Sequence, residues 1–179
     1  MKNYINNKVK ENFFLNLDYE EKIIQIKRVT KVLKGGKKMS FRVIVIIGNK
    51  KQKVGLGVGK AEDVNLAIEK AIINAKKSLF IIPLTKQLSI PFIIKKSYGS
   101  SKIMLRPAAI GTGVIAGSSI RSVLELAGIN NVLAKQFGSN NLLNNAKLTI
   151  IALKELTKKV ELNKYQNLSR KIFYTKILK

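Results

Sequence analysis

The 179-residue chain contains neither cysteine nor histidine. Without cysteine there is no disulfide and no thiolate nucleophile. With histidine also missing, the usual zinc ligand sets are gone, and so is the side chain that titrates near neutral pH. Carboxylates are scarce as well, 10 against 34 lysines and arginines. They gather at Glu11–Glu21 and Glu62–Glu69, and between Lys70 and Lys154 only Glu125 remains. Hydrolysis and phosphoryl transfer call for carboxylates, either for acid–base work or to hold magnesium. No enzyme, metal site or cofactor is therefore expected. No apolar run reaches the roughly 18 residues of a spanning helix. Met1–Phe14 has neither the apolar region nor the cleavage site of a signal peptide. Neither a membrane role nor a transit peptide is expected, and no self-association.

What is present is positive charge and apolar bulk. The net charge is +24 and 46% of residues are hydrophobic, enough to bury the core of one domain or two small ones. Such a charge draws the chain to polyanions, with nucleic acid first and an anionic membrane second. The heavy use of Ile, Lys and Asn is what an AT-rich genome produces. It fits a plastid or other organelle, and equally the cytoplasm of an AT-rich bacterium.

Residues 1–19 show no period and read as an arm. "KIIQIKRVTKVLK" (22–34) reads as a strand whose alternation slips near Arg28, as a bulge or bent strand would. "KGGKK" (34–38) is a basic turn. "SFRVIVIIG" (40–48) places Phe41, Val43, Val45 and Ile47 on one face. "NKKQ" (49–52) connects it to "KVGLGVGK" (53–60), which has Val54, Leu56 and Val58 on one side and glycines on the other. "AEDVNLAIEKAIINAKKSLF" (61–80) is a helix with an apolar stripe through Val64, Ala67, Ile68, Ala71, Ile72, Ala75 and Leu79. Glu62 and Asp63 fall in its first turn and Lys76 and Lys77 near its end, matching the helix dipole. Pro83 and Pro91 bracket a connection. "IPFIIKKSYGSSKIMLRP" (90–107) is a hairpin about Gly99-Ser100-Ser101. A helix through Leu126 follows, capped by Gly128. A strand over 130–138 and a helix over 141–159 come next. The tail from Val160 carries isolated Tyr165, Phe173 and Tyr174. The expected class is α+β in two small domains, 20–83 and 91–159, joined by a linker over 84–90 and flanked by the arm (1–19) and a basic tail (160–179).

Two glycine loops invite a nucleotide reading. "GLGVGK" (55–60) lacks the Walker spacing and has Ala61 where a Ser or Thr is needed; a strand packed closely on a helix explains it better. "GTGVIAG" (111–117) approaches a dinucleotide fingerprint, but no acid lies about 20 residues on to hold a ribose. That neighbourhood holds Asn130, Asn131 and Lys135. Close backbone approach at a helix start explains these glycines, and any phosphate they meet belongs to RNA. A nucleotide-binding enzyme using Gly111–Gly117 is one alternative. A free double-stranded-RNA-binding module is another. The basic stretch Lys27, Arg28, Lys31, Lys34, Lys37 and Lys38 around Gly35-Gly36 suits insertion between RNA helices. Arg42 and Tyr98 stand between packing or solvent and RNA contact.

Read in order, these motifs resemble the universal small ribosomal subunit protein five family in its bacterial and organellar form. The resemblance rests on "RVTKVLKGGKKMSFRVIVIIGN", "KVGLGVGKAEDV", "LRPAAIGTGVIAG" and "IRSVLELAGINNVLAKQFGSNN", running from Glu20 to Leu156 without a large gap. It implies an N-terminal double-stranded-RNA-binding-like domain of three strands and one helix. It also implies a C-terminal β-β-α-β-α domain with a left-handed crossover, against the ordinary handedness rule. The implied role is a structural constituent of the small ribosomal subunit, binding its ribosomal RNA near the body–head junction. Support of assembly and of translational accuracy is implied too, with small-subunit proteins four and eight as neighbours. RNA contacts are expected from Lys27, Arg28, Thr30, Lys31 and Lys34–Lys38, including Gly35, Gly36 and Lys37. Further contacts are expected from Arg42, Lys53 and Lys60, and in the second half from Lys102, Arg106, Gly111, Gly113 and Arg121. Two positions depart from the family. Gln52 stands where a glycine is common, and Ser118 where a second glycine often follows Gly117.

Overall fold

The computed structural model describes residues 19–85 and 87–177, with side chains to Val160 and at Leu162. Apart from Tyr19, the expected N-terminal arm lies outside the described residues, as do the side chains of Tyr165, Phe173 and Tyr174.

The N-terminal half is an antiparallel sheet ordered β1-β2-β3-β4: β1 (Glu20–Leu33), β2 (Gly36–Gly48), β3 (Lys53–Ala61) and the two-residue β4 (Phe80–Ile81). Helix α1 (Val64–Lys77) lies across one face. Its seating explains the alternating glycines of β3. A Cβ at Gly55, Gly57 or Gly59 would collide with the carbonyl oxygen of Ala75, Ala71 or Ala67 respectively. Glycine on the strand and alanine every fourth residue on the helix let the two backbones meet. Val43, Val45 and Ile47 of β2 close this layer.

Three local details differ from the sequence reading. α1 begins at Val64, so Glu62 and Asp63 precede it; Asp63 is the N-cap residue but makes no side-chain cap bond. The β1 bulge falls between Ile23 and Gln25, while Arg28 pairs regularly with Phe41. The extra residue turns Ile24 toward the apolar layer on the other side of the sheet. The basic turn is Lys34-Gly35, with Gly35 at φ +89° and Gly36 already in β2.

The C-terminal half is a sheet ordered β5-β6-β8-β7: β5 (Ile94–Tyr98), β6 (Ser101–Pro107), the two-residue β7 (Val114–Ile115) and β8 (Val132–Gly138). β7 runs parallel to β8, and α2 (Ser118–Leu126) connects them. α3 (Leu142–Ile177) is one 36-residue helix, longer than the reading of 141–159. No glycine or proline follows Gly138, so nothing in the sequence terminates it. Asn141 Oδ1 caps its start, accepting the Leu143 amide at 3.1 Å. No helix among the described residues is long and apolar enough to cross a membrane.

One core joins the two halves. Ile46 and Val54, on the sheet face opposite α1, are buried with Ile120, Leu124, Leu126 and Leu153 of α2 and α3. β2 is therefore buried on both faces, which its run of β-branched residues permits. The layers run α1, first sheet, α2 and α3, second sheet. Among the described residues, the outer face of the second sheet is open.

The turn between β2 and β3 locks this junction. The amides of Lys50 and Gln52 donate to the Leu126 and Ala127 carbonyls at 3.0 and 3.1 Å, satisfying the C-terminal end of α2. Asn49 Oδ1 accepts the Lys51 and Lys53 amides, each at 2.9 Å, and so folds the turn. The departure at Gln52 has a concrete form: it sits at φ +83°, a conformation glycine adopts freely. Glu125 adds an ion-pair bridge, to Lys22 of β1 at 3.2 Å and to Arg121 at 2.6 Å.

Candidate nucleic-acid interface

The outer parts of β1 and β2 form a two-stranded ribbon that leaves the body of the sheet. Every residue from Thr30 to Met39 is exposed, on both faces. Among the described residues no core holds this segment, only the ladder and its turn. The register sets like charges directly opposite each other, Lys27 against Arg42 and Lys31 against Lys38. Side chains two apart on a strand share a face, so both pairs lie on one side of the ribbon. Arg42 also pairs with Lys60 of β3, completing a row of cations across three strands. Arg28 and Lys37 occupy the opposite face. Like charges set opposite each other destabilise a ribbon. A polyanion bound there reverses that cost.

Neutralisation by the described residues is slight. Lys38 is the exception, bonded to Glu62 at 2.6 Å. That hydrogen bond, reinforced by charge attraction, raises the Lys38 pKa and lowers that of Glu62. Lys27, Arg28, Lys31, Lys34, Lys37, Arg42 and Lys60 have no ion-pair partner among the described residues. Beside the Lys27–Arg42 pair, a hollow of about 250 Å³ reaches Asn141 and Asn144 at the start of α3. The positive end of a long helix thus faces the same surface.

The structure does not bring all the expected residues together. Lys53 starts β3, at the far end from Lys60, half-buried and opposite Ile81. Lys102 and Arg106 stand on the outer face of the second sheet. Arg121, on α2, is bound to Glu125. Against the Gly111–Gly117 loop lies Asn131, just before β8 and 7% exposed, whose Oδ1 accepts the Gly111 and Gly113 amides at 3.1 and 3.4 Å. The Thr112 amide donates to the Ala109 carbonyl. Amides held in this way are turned from any phosphate. Nor does close packing account for Gly111 and Gly113. They lie at φ +90° and +75° with open space where a Cβ would go. Conformation, not crowding, selects glycine there.

Sequence reasoning missed Lys95, Lys135 and Phe137, which join Lys102 and Arg106 on the open sheet face. The period-2 pattern of "SKIMLRP" and "VLAKQFG" carries the signal, but the pairing partner of each strand had to be known. Asn131 gives no signal in the sequence beyond standing where a ribose-binding acid would be needed.

Comparison with known proteins agrees with this architecture. Residues 19–83 match the family model of ribosomal protein S5, N-terminal domain, and residues 96–166 that of the C-terminal domain. The chain is 55% identical to small ribosomal subunit protein uS5c of Rhodomonas salina over 84% of its length and 88% of the relative's. It is 54% identical to uS5c of Gracilaria tenuistipitata var. liui, covering 87% of each chain. Against uS5 of Trichormus variabilis it is 58% identical over 78% of this chain and 80% of that one. With both family domains matched in order, on a fold whose sheets and helices correspond to them, the chain belongs to the ribosomal protein S5 family.

Proposed function

We propose that the chain is a structural, non-enzymatic constituent of the small ribosomal subunit of a plastid. It binds small-subunit ribosomal RNA chiefly through the β1–β2 ribbon. The observation that carries the RNA contact is the ribbon's charge arrangement. A strand pair that sets Lys27 on Arg42 with no acid beside them, and Lys31 on a Lys38 that Glu62 alone offsets, is unfavourable until a further anion lies against it. The ribbon inserts near the body–head junction, where Lys34 and Lys37 at its tip meet phosphates on two sides. Support of assembly and decoding accuracy follows from that anchorage, with small-subunit proteins four and eight as neighbours on the strength of the family resemblance. Relatives named uS5c in algae and in spinach, together with the Ile-, Lys- and Asn-rich composition, support the plastid assignment.

The test is filter binding of the full-length chain to small-subunit ribosomal RNA across a salt series. Wild type is expected to lose affinity steeply with salt, by about 0.9 in the logarithmic slope per duplex phosphate contact. Lys34→Glu combined with Lys37→Glu flattens that slope and slows incorporation into subunits. Unchanged slope and unchanged incorporation would remove the ribbon as the anchor.

A further inference from the structure

The open face of the second sheet has no part in the ribbon surface, and no layer of the described residues lies upon it. Its side chains can be placed from the register. Lys102 of β6 lies between Ser97 of β5 and Phe137 of β8. One row along, Met104 lies between Lys95 and Lys135. In the next row Arg106 faces Leu133, which in turn faces Ile115 of β7. Each row therefore sets cations beside apolar groups. Lys95, Lys102, Arg106 and Lys135 are all exposed, and none has an ion-pair partner among the described residues. β5 to β8 contain no carboxylate at all. Phe137 is 48% exposed beside a hollow of about 500 Å³ that Lys95, Ser97, Lys102 and Met104 also line.

We propose that this face binds a single-stranded segment of RNA, with a base stacked on Phe137 and the flanking phosphates held by Lys102, Lys135 and Lys95. Two features select this ligand. The core of a protein–protein interface is depleted of charge, whereas here a cation interrupts the apolar groups in every row. A duplex hides the faces of its bases, and an exposed aromatic ring among cations engages an unpaired one. The inference shares the ligand class of the ribosomal reading but rests on other strands, so each can fail alone.

The test is fluorescence anisotropy of the full-length chain with a labelled 12-nucleotide oligouridylate, set beside a 12-base-pair RNA duplex. Phe137→Ala is expected to weaken oligouridylate binding about tenfold and leave duplex binding unchanged. Phe137→Tyr restores the single-strand affinity. Lys102→Gln with Lys135→Gln lowers the single-strand salt slope by about 0.7 for each lost contact. The side chains altered are exposed, and unchanged thermal melting confirms that the variants fold. Lys34→Glu with Lys37→Glu is expected to reduce duplex binding and spare oligouridylate. The proposal is overturned if the sheet-face variants bind oligouridylate as wild type does, or if the ribbon variant alone abolishes that binding. Unchanged oligouridylate binding with lost incorporation into subunits also overturns it and assigns the face to a protein neighbour. Failure of the ribosomal reading shows elsewhere, as a wild-type chain that binds neither ribosomal RNA nor duplex.

Discussion

The two glycine stretches look alike in sequence and are used in opposite ways. In β3, Gly55, Gly57 and Gly59 have ordinary strand conformations, and a side chain on any of them would strike the backbone of α1. In the loop before α2, Gly111 and Gly113 have space around them but lie at positive φ. The first set is there for what it lacks in volume, the second for what it permits in torsion. Neither set holds a phosphate loop. The glycine-rich strand is filled by a helix, and the amides of the glycine loop are held by Asn131. A glycine pattern therefore says little about a ligand until it is known where the amides point.

The largest test of this contrast is Gly57→Ala against Gly111→Ala in urea unfolding. Gly57→Ala must part β3 from α1 and is expected to cost about 3 kcal/mol or more, or to abolish a cooperative transition. A loss under 1 kcal/mol would break the account of a closed strand–helix contact. Asn131→Ala comes next, at about 2 kcal/mol, because two loop amides lose their acceptor and the Gln87 carbonyl loses the Asn131 Nδ2 donor at 2.9 Å. Amide hydrogen exchange at Gly111 and Gly113 should accelerate with it; unaltered exchange would show that other groups hold the loop. Gly111→Ala itself should cost only about 1 kcal/mol, the left-handed strain alone.

Smaller effects sharpen the comparison at the junction of the two halves. Gln52 has the positive φ of a glycine without being one. Gln52→Gly is expected to stabilise by about 0.5 kcal/mol, seen as a rise in Tm, whereas a fall would mean that the side chain supplies more than the torsion costs. Glu125 should contribute least, about 0.5 kcal/mol or below for a partly exposed pair. The hydrogen bond from Arg121 holds its carboxyl below the ordinary value of 4.5, with Lys22 assisting against the opposing cost of burial. A pKa depressed by folding adds stability above 4.5 that disappears as pH falls through the folded value. Glu125→Gln should therefore be less stable than wild type at neutral pH and equal to it in acid, by unfolding midpoints at both.

Much of the fold was legible because it depends on local period. The α1 stripe through Ala67, Ala71 and Ala75 and the alternation in β2 show in a few residues each. What escaped has a common cause. β4 and β7 are two-residue strands with no pattern of their own, existing only as partners of β3 and β8. The start of α1 is a matter of one turn, and Glu62 and Asp63 suit a cap region as well as a first turn. Of the site, the ribbon's cations were legible because they are contiguous, but not the fact that the register stacks them. The open sheet face was half seen: Lys102 and Arg106 lie on one strand, while Lys95, Lys135 and Phe137 come from two others.

The sequence by itself determined the chemistry available: no thiol, no imidazole, few carboxylates and a net charge of +24. It also set the periods of the main strands and helices, since side-chain alternation is a property of the local backbone. Only the tertiary structure decided where that chemistry acts. It buried Ile46 and Val54 in a core shared by both halves, and it turned the Gly111 and Gly113 amides onto a side chain 20 and 18 residues away. It also assembled a cationic, aromatic face from β5, β6 and β8. Hydrogen bonds and packing between distant segments leave no period in the chain that makes them.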